Sequence, residues 1–449
     1  MKDFLIWGLY NILFAVGYTL MLPKFFLRMW RRGGYRDGFM QRFGVYDDEL
    51  MDAISAKRRI WVHAVSVGEV FVALHFIDEM QKVFPEYGFI LTTTTSTGHA
   101  QAKTRLSAGD VLLYFPADLP FIVRRVVRKL NPVAVVLTEC ELWPNILRCL
   151  NGKGVPVFVV NGRISESSFR GYSKVRPFFR RAVALVDLLM VQSHVDERRL
   201  LGLGTPAENL IVMGSAKYDT ALPDPAGVEI ARKIIEDAGM NPDGDLLVAG
   251  STWPGEEVLI LEIFAGLQQT NPDLQLILVP RHMERRSEVE EILKKSELPY
   301  IKRTDMVEKA EGGTMKAEAG ADKSPCVLLA DTTGELMHYY AVAAVVFVGK
   351  SMGDNFGGQN PIEPAMFGKA VVVGPHMENF PGVMDDFITA EALIQVAGGG
   401  ELKEKLSALL SDADMRQKYG KRAGSLVAEK SGVVARSIEL IRVRMNTRS

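Results

Sequence analysis

Glu69 ends the stretch WVHAVSVGE, residues 61–69, in which a β-prone apolar run passes through Ser66 and Gly68 before the helical pattern FVALHFIDEM begins. A carboxylate at such a strand-to-helix turn lies at the carboxyl edge of a sheet, where open α/β folds place their ligands. It could take a proton from a hydroxyl nucleophile; the helix dipole would favour its charged form and burial would oppose it. The same residues fit a plain capping box, Ser66 with Glu69 in S-x-x-E. A second acidic pair follows in TECELWPN, residues 138–145, just after another apolar run. If that strand continues, the i,i+2 spacing separates Glu139 from Glu141 along it, leaving one to face a cleft, and Asn145 could orient or satisfy a carboxylate. A solvated loop is the alternative. NGRISESS, residues 161–168, brings Arg163 and several hydroxyls to the end of a further strand.

The second half offers anion chemistry. VPRHMERR sets Arg281 and His282 at a strand end, where they could hold phosphate or carboxylate. DTTGEL, residues 331–336, joins another strand end to Thr333, Gly334 and Glu335. In GKSMGDNFGGQNPIEPAMFGK, Gly357 and Gly358 permit close backbone approach, and Asn360 with Pro361 can open a helix. The N–H groups of such a terminus suit a nucleotide phosphate, and Glu363 in its first turn suits a ribose hydroxyl. The chain has no G-x-G-x-x-G, no GxxxxGK[ST] and no H-E-x-x-H, and its histidines are scattered, so neither a resident cofactor nor a metal is expected.

These residues need a scaffold that ends many strands on one edge. From Ile60 onward, continuous apolar runs alternate with amphipathic ones, the pattern of parallel strands covered on both faces. The alternation restarts after LPDPAG, whose Pro223 and Pro225 mark a linker, so two Rossmann-like domains facing a cleft are expected. The expected boundaries are 1–32 for a membrane helix with a basic flank, 33–222 for a first α/β domain and 223–449 for a second. The closing helix is left free to cross back. Residues 4–22 carry no charge, and Lys24, Arg28, Arg31 and Arg32 follow them. That length suits a spanning helix placed by the positive-inside rule, with the bulk of the chain on the cytoplasmic face; Gly8, Asn11, Gly17 and Thr19 suit an interfacial one instead. The basic, aromatic segment RRGGYRDGFMQRFGVY is either a solvated connector or a contact for anionic lipid. Lys+Arg of 53 against Asp+Glu of 54 leaves no basic excess to draw nucleic acid, and three cysteines without metal-site spacing suit a reducing compartment. GGTMKAEAGADKS reads as a surface insert.

WVHAVSVGE, TTTTSTG, TECELWPN, NGRIS, GSAKYD, VPRH, DTTGEL and FGGQNPIEPA occur in one collinear order, and together they resemble the 3-deoxy-D-manno-octulosonic acid (Kdo) transferases of lipopolysaccharide assembly. The resemblance implies a GT-B-type α/β fold. The first domain takes a lipid A precursor (lipid IVA) and the second takes the donor CMP-Kdo, at the cytoplasmic face of the inner membrane. It implies an inverting transfer with Glu69 as general base and Glu139 as the second carboxylate. Ser66, Gly68 and Arg163 fall on the acceptor side. Arg281 falls near the donor phosphate, with His282, Thr333, Gly334, Glu335, Gly357, Gly358, Asn360 and Glu363 around the nucleotide sugar, and Ser215 and Lys217 in a donor-side role. Gln359 departs from the histidine many relatives carry. A nucleotide diphospho-sugar transferase and a sugar-nucleotide epimerase are the alternative enzymes, and a membrane scaffold is the alternative without chemistry.

Overall fold

The structure is a computed structural model and describes residues 2–32, 38–219, 226–310 and 324–447. The chain forms two compact units, one of residues 1–220 with 432–449 and the other of residues 221–431. Each is built on a seven-stranded parallel sheet, the α/β class expected of a GT-B-type chain. In the first unit β1 (Arg59–Ala64), β2 (Gly88–Thr93), β3 (Val111–Tyr114), β4 (Ala134–Thr138), β5 (Val157–Gly162), β6 (Leu188–Val191) and β7 (Leu210–Val212) lie in the order β3-β2-β1-β4-β5-β6-β7. In the second, β8 (Leu246–Thr252), β9 (Gln275–Pro280), β10 (Tyr300–Lys302), β11 (Val327–Leu329), β12 (Val345–Val348), β13 (Ala370–Val373) and β14 (Ile394–Gln395) lie in the order β10-β11-β9-β8-β12-β13-β14. The strand order reverses between β1 and β4 and between β8 and β12. Those crevices are the topological switch points where such sheets bind ligands.

The apolar runs are continuous because both faces of each sheet are covered. Trp61, Leu137, Val159 and Leu189 fill one face of the first sheet, and Ile60, Val62, Val136 and Val160 fill the other. The Trp61 indole N–H finds a partner inside this core by donating to Thr92 Oγ1 at 2.8 Å. A side-chain period of two sends neighbouring residues to opposite faces, so a one-residue slip in register would exchange the two layers.

The closing helix Val433–Asn446 belongs to the first unit, packing Val433, Val434, Ile438 and Ile441 into the layer that holds Phe76 and Ile77. Its entry is fixed from a distance. Asp219 accepts the Gly432 N–H at 2.6 Å and the Val434 N–H at 2.7 Å, so an acidic side chain remote in sequence serves as the helix cap. The linker core, residues 220–225, lies outside the described residues, as does most of the surface insert, residues 311–323.

The N-terminal helix Lys2–Arg32 includes one stretch, Ile6–Pro23, long and apolar enough to cross a membrane, with a mean hydropathy of 1.4. One flank of that stretch is bound to the first unit. Tyr10 stacks on Phe178 at 5.0 Å and donates its hydroxyl to Asp118 Oδ2 at 2.7 Å, while Asn11 accepts from the Asn145 amide at 2.8 Å. Asp118 is buried and also accepts the N–H groups of Asn145 and Ile146 at the start of the helix Pro144–Asn151. Asn145 therefore serves Asp118, not the Glu139–Glu141 pair it was expected to orient. The flank that faces away exposes Leu9, Ile12, Leu13, Val16 and Leu20.

Removing the cap should be felt in the first unit. Asp219→Ala should lower the urea midpoint of its unfolding transition by an amount equivalent to about 1–2 kcal/mol, as for loss of a helix cap. Asp219→Asn should recover part of that loss.

Candidate active site

The switch point of the first sheet gathers the acidic residues. The helix Val67–Val83 starts there with Ser66 as its cap, and the capping box is complete. Glu69 Oε1 accepts the Ser66 N–H at 3.1 Å and Oε2 accepts the Val65 N–H at 3.0 Å. From β4, Thr138 donates its hydroxyl to Glu69 Oε2 at 3.4 Å. The cap and the base are thus compatible roles. Oε1 accepts a single backbone N–H and so keeps a further lone pair for a proton. Glu69 is 9% exposed, beside Ser66 and Gly68 at the surface. Gly68 lies within the helix, not in a glycine-requiring turn, and a Cβ there would meet nothing within 4 Å.

β4 ends at Thr138, so of the two readings the chain takes the loop and not the continued strand. Glu139 instead adopts φ +56°, a left-handed turn in place of a further strand position. Its pKa is pushed up from 4.5 to about 7, first by burial and then by the charge of Glu69, against Lys217 and Arg163, which pull it down. Burial followed by the charge of Glu69 also raises Glu141. Lys217 is lowered by burial, with Glu139 opposing that and Arg163 reinforcing it. Arg163 and Lys217 are therefore the cations of this acidic cluster.

Lys217 stands in the first unit on the short turn Ala216–Tyr218, which Ser215 caps. Within this unit the charged neighbours of Lys217 are Glu139 and Arg163, and Ser215 accepts the Lys217 N–H at 3.4 Å. Asn161, also at positive φ, holds the turn by accepting the Ala216 N–H at 3.0 Å.

In the second unit the residues expected to hold an anion lie near the ends of β8, β9 and β12. Arg281 follows β9, its backbone N–H bonded to Thr252 O at 3.0 Å. Burial raises the Glu363 carboxyl, against the Asn360 amide, which donates to it at 3.2 Å, and the Arg281 charge. Burial likewise raises the Tyr340 hydroxyl, with Glu363 adding and Arg281 opposing. Arg281, Tyr340 and Glu363 thus act on one another. A Cβ at Gly250 would come within 2.0 Å of Tyr340 Oη, so the strand end is bare where the phenol packs.

Gly357 and Gly358 both have positive φ, and added Cβ atoms would strike Asn379 Nδ2 at 2.5 Å and Met377 Sδ at 2.3 Å. The helix expected after Asn360 is a single turn, Ile362–Ala365, and its first N–H is taken by Asn360 Oδ1 at 3.2 Å. So short a helix has little dipole, and side chains are left to carry the anion chemistry there. His282 is exposed, edge-on to Trp253 at 5.1 Å. Thr333 and Gly334 are exposed, and Glu335 is held by Arg303 at 3.0 Å together with Thr332 and Tyr339. Although burial raises Glu335, those hydrogen bonds take its pKa below the usual carboxylate range. Glu335 is thus a paired group, not an open one.

The sequence reading missed Thr138, Tyr340 and Glu256. Glu256 is buried behind the helix start Glu256–Gln268 and accepts N–H groups from Trp253, Lys350, Ser351 and Met352 at 2.8–2.9 Å. The only signal for it was an acidic residue at a helix start after a strand, the pattern already noticed at Glu69. Among the described residues no group of three or more His, Cys, Asp or Glu could hold a metal ion.

The Glu139 shift sets a sign. Its folded pKa of about 7 exceeds the ordinary 4.5, so its contribution to stability is complete at low pH and is lost as pH rises through 7. Glu139→Gln removes that titration. The variant should gain stability relative to the parent between pH 5 and pH 8, measured by chemical denaturation at both ends.

Residues 37–220 match the family model described as 3-deoxy-D-manno-octulosonic-acid transferase (kdotransferase). The chain is 32% identical over 443 residues to the 3-deoxy-D-manno-octulosonic acid transferase of Bordetella pertussis, covering 94% of this chain and 98% of the relative. To the enzyme of the same name from Haemophilus influenzae it is 30% identical over 410 residues, 91% of each. In fold it is similar to a UDP-GlcNAc 2-epimerase from Neisseria meningitidis, with a TM-score of 0.55 at 10% identity, covering 87% of this chain and 100% of that one. That likeness extends to architecture alone; the identity over nearly the whole length of two transferases decides membership. The chain belongs to the 3-deoxy-D-manno-octulosonic acid transferase family.

Proposed function

We propose that this enzyme transfers Kdo from CMP-Kdo to a hydroxyl of a lipid A precursor, with inversion, and that Glu69 is the base. The carrying observation is the pair of roles at Glu69. It accepts two backbone N–H groups that fix its position, and it stands at the sheet edge beside a second carboxylate that burial and Glu69 itself keep largely protonated below pH 7. A raised carboxyl at Glu139 can act as an acid or hydrogen-bond donor beside the carboxylate of Glu69. Glu69 takes the proton of the attacking hydroxyl, which displaces the nucleotide phosphate from the anomeric carbon in a single step. Glu139, with Lys217 and Arg163 beside it, hydrogen-bonds the reacting sugars. Arg281 meets the phosphate as charge develops on it, and Asn360 and Glu363 hold the nucleotide.

The transfer assay is direct. CMP-Kdo with a tetra-acylated lipid A precursor should give a Kdo-lipid product by mass analysis, and UDP-hexoses should give none. Transfer from a UDP-hexose alone would refute the proposal, as would conversion of a sugar nucleotide without acceptor. Glu69→Gln should lower kcat by roughly 10²–10⁴-fold with folding intact, the usual range for loss of a general base.

The N-terminal helix holds the enzyme at the cytoplasmic face of the inner membrane, lying in the interface. This reading is supported by the flank that binds Phe178, Asp118 and Asn145, because a spanning pose would draw those polar partners into hydrocarbon. It is supported equally by the opposite flank of exposed Leu9, Leu13, Val16 and Leu20. Nitroxide labels at positions 9, 13, 16 and 20 should report nearly equal depth in vesicles. A spanning helix would instead spread them over about 16 Å, at 1.5 Å per residue.

A further inference from the structure

At the switch point of the second sheet, one cation has no role in the chemistry described so far. Lys350 leaves the end of β12 with φ +57°, a conformation unfavourable for any residue with a Cβ. Its backbone is fixed on both sides: its N–H donates to Glu256 Oε2 at 2.8 Å, and its carbonyl accepts the Gly358 N–H at 2.9 Å. Gln359 N–H bonds to Gly349 O at 3.1 Å, so the glycine-rich loop lies alongside this residue. The side chain is placed as well. Its ammonium sits over the Trp253 ring, 4.7 Å from the centroid, and Trp253 in turn contacts His282.

An aromatic face holds a cation without neutralising it. The carboxylate nearest in the network is Glu256, and both its oxygens are occupied by backbone N–H groups: Oε2 by Trp253 and Lys350, Oε1 by Ser351 and Met352. No carboxylate among the described residues forms an ion pair with Lys350. A strained backbone, clamped by a buried acid, therefore presents one intact positive charge at the edge of the sheet.

The donor in the proposed function has two anionic groups on one carbon, the phosphate ester and the sugar carboxylate. Arg281 follows β9 and Lys350 follows β12, with β8 between them. Two strand spacings of roughly 4.8 Å put the two starting points about 10 Å apart, near enough for two long cationic side chains to converge on adjacent anions. Arg281 already interacts with Glu363 and Tyr340 on the nucleotide side. We propose that Lys350 binds the carboxylate of the donor sugar acid, and so selects an acidic sugar over a neutral one. This rests on CMP-Kdo being the donor.

Wild-type turnover of CMP-Kdo, measured first, tests the function; the variants then test the lysine. Lys350→Met keeps the length and the aromatic contact, and Lys350→Gly relieves the backbone strain, guarding against a folding defect common to both. In each, the KM for CMP-Kdo should rise tenfold or more, while the affinity for CMP by titration calorimetry stays within twofold. Lys350→Arg should restore the KM to within threefold. In the wild type, free Kdo should inhibit better than its methyl ester, and Lys350→Met should abolish that preference. A parallel loss of CMP affinity would put the lysine on the phosphate and overturn the proposal. An unchanged KM for CMP-Kdo would overturn it too.

Discussion

A parallel strand covered on both faces has room for polar side chains only at its ends. That constraint arranges this chain. Both seven-stranded sheets bury their interior almost completely, so charged chemistry collects at the carboxyl edges, and most of all where the strand order reverses. At each reversal a glutamate from the first helix after the first strand turns back on the backbone: Glu69 onto Val65 and Ser66, Glu256 onto Trp253 and the loop 350–352. One physical device, a carboxylate in the first helical turn accepting N–H groups from outside the helix body, serves both units. In the first the carboxylate is buried beside exposed Ser66 and Gly68. In the second the carboxylate is consumed in holding a loop.

The electrostatics show why similar burial produces opposite outcomes. Glu139 and Glu335 both lose water, and burial alone would raise both. Glu335 has an arginine in direct contact and two hydroxyls donating to it, and these outweigh desolvation. Glu139 has cations only as Coulombic neighbours and a like charge in Glu69, so desolvation wins and its pKa reaches about 7. A direct charge-assisted hydrogen bond is stronger than a charge acting through space, and that difference separates a lowered carboxyl from a raised one.

The strands and their order of appearance were legible because continuous apolar runs of β-branched residues have few other uses. The exceptions were β10 and β14, three and two residues long, which give no periodic signal. At Glu69 both the cap and the chemistry could be read, since S-x-x-E and a strand end are local patterns. The environment of Lys217 was not legible: its neighbours come from β4 and β5, far away in sequence, and only the folded sheet brings them together. Asp118 escaped for the same reason, because its partners Tyr10 and Asn145 belong to segments 108 and 27 residues away. The course of the closing helix depended on one carboxylate, Asp219, reaching across more than two hundred residues, which no window on the sequence can contain.

Backbone strain falls on the same edges. Glu139 after β4, Asn161 in β5, Ser251 in β8 and Lys350 after β12 all hold positive φ without being glycine. The pairing register of β5 with β6 shifts across Val159–Gly162, and that of β8 with β9 across Gly250–Thr252, so two of these residues lie at irregularities in the ladder. Three of them set a polar side chain at a strand end: a carboxylate at Glu139, a clamp on the Lys217 turn at Asn161 and an ammonium at Lys350. The left-handed conformation costs of order 1–3 kcal/mol at each non-glycine site and persists only where the surroundings over-determine it. At Asn161 the Ala216 N–H supplies that support, and at Lys350 the Glu256 carboxylate does. Capping, packing and hydrogen bonding in each sheet thus hold its strained residues in place.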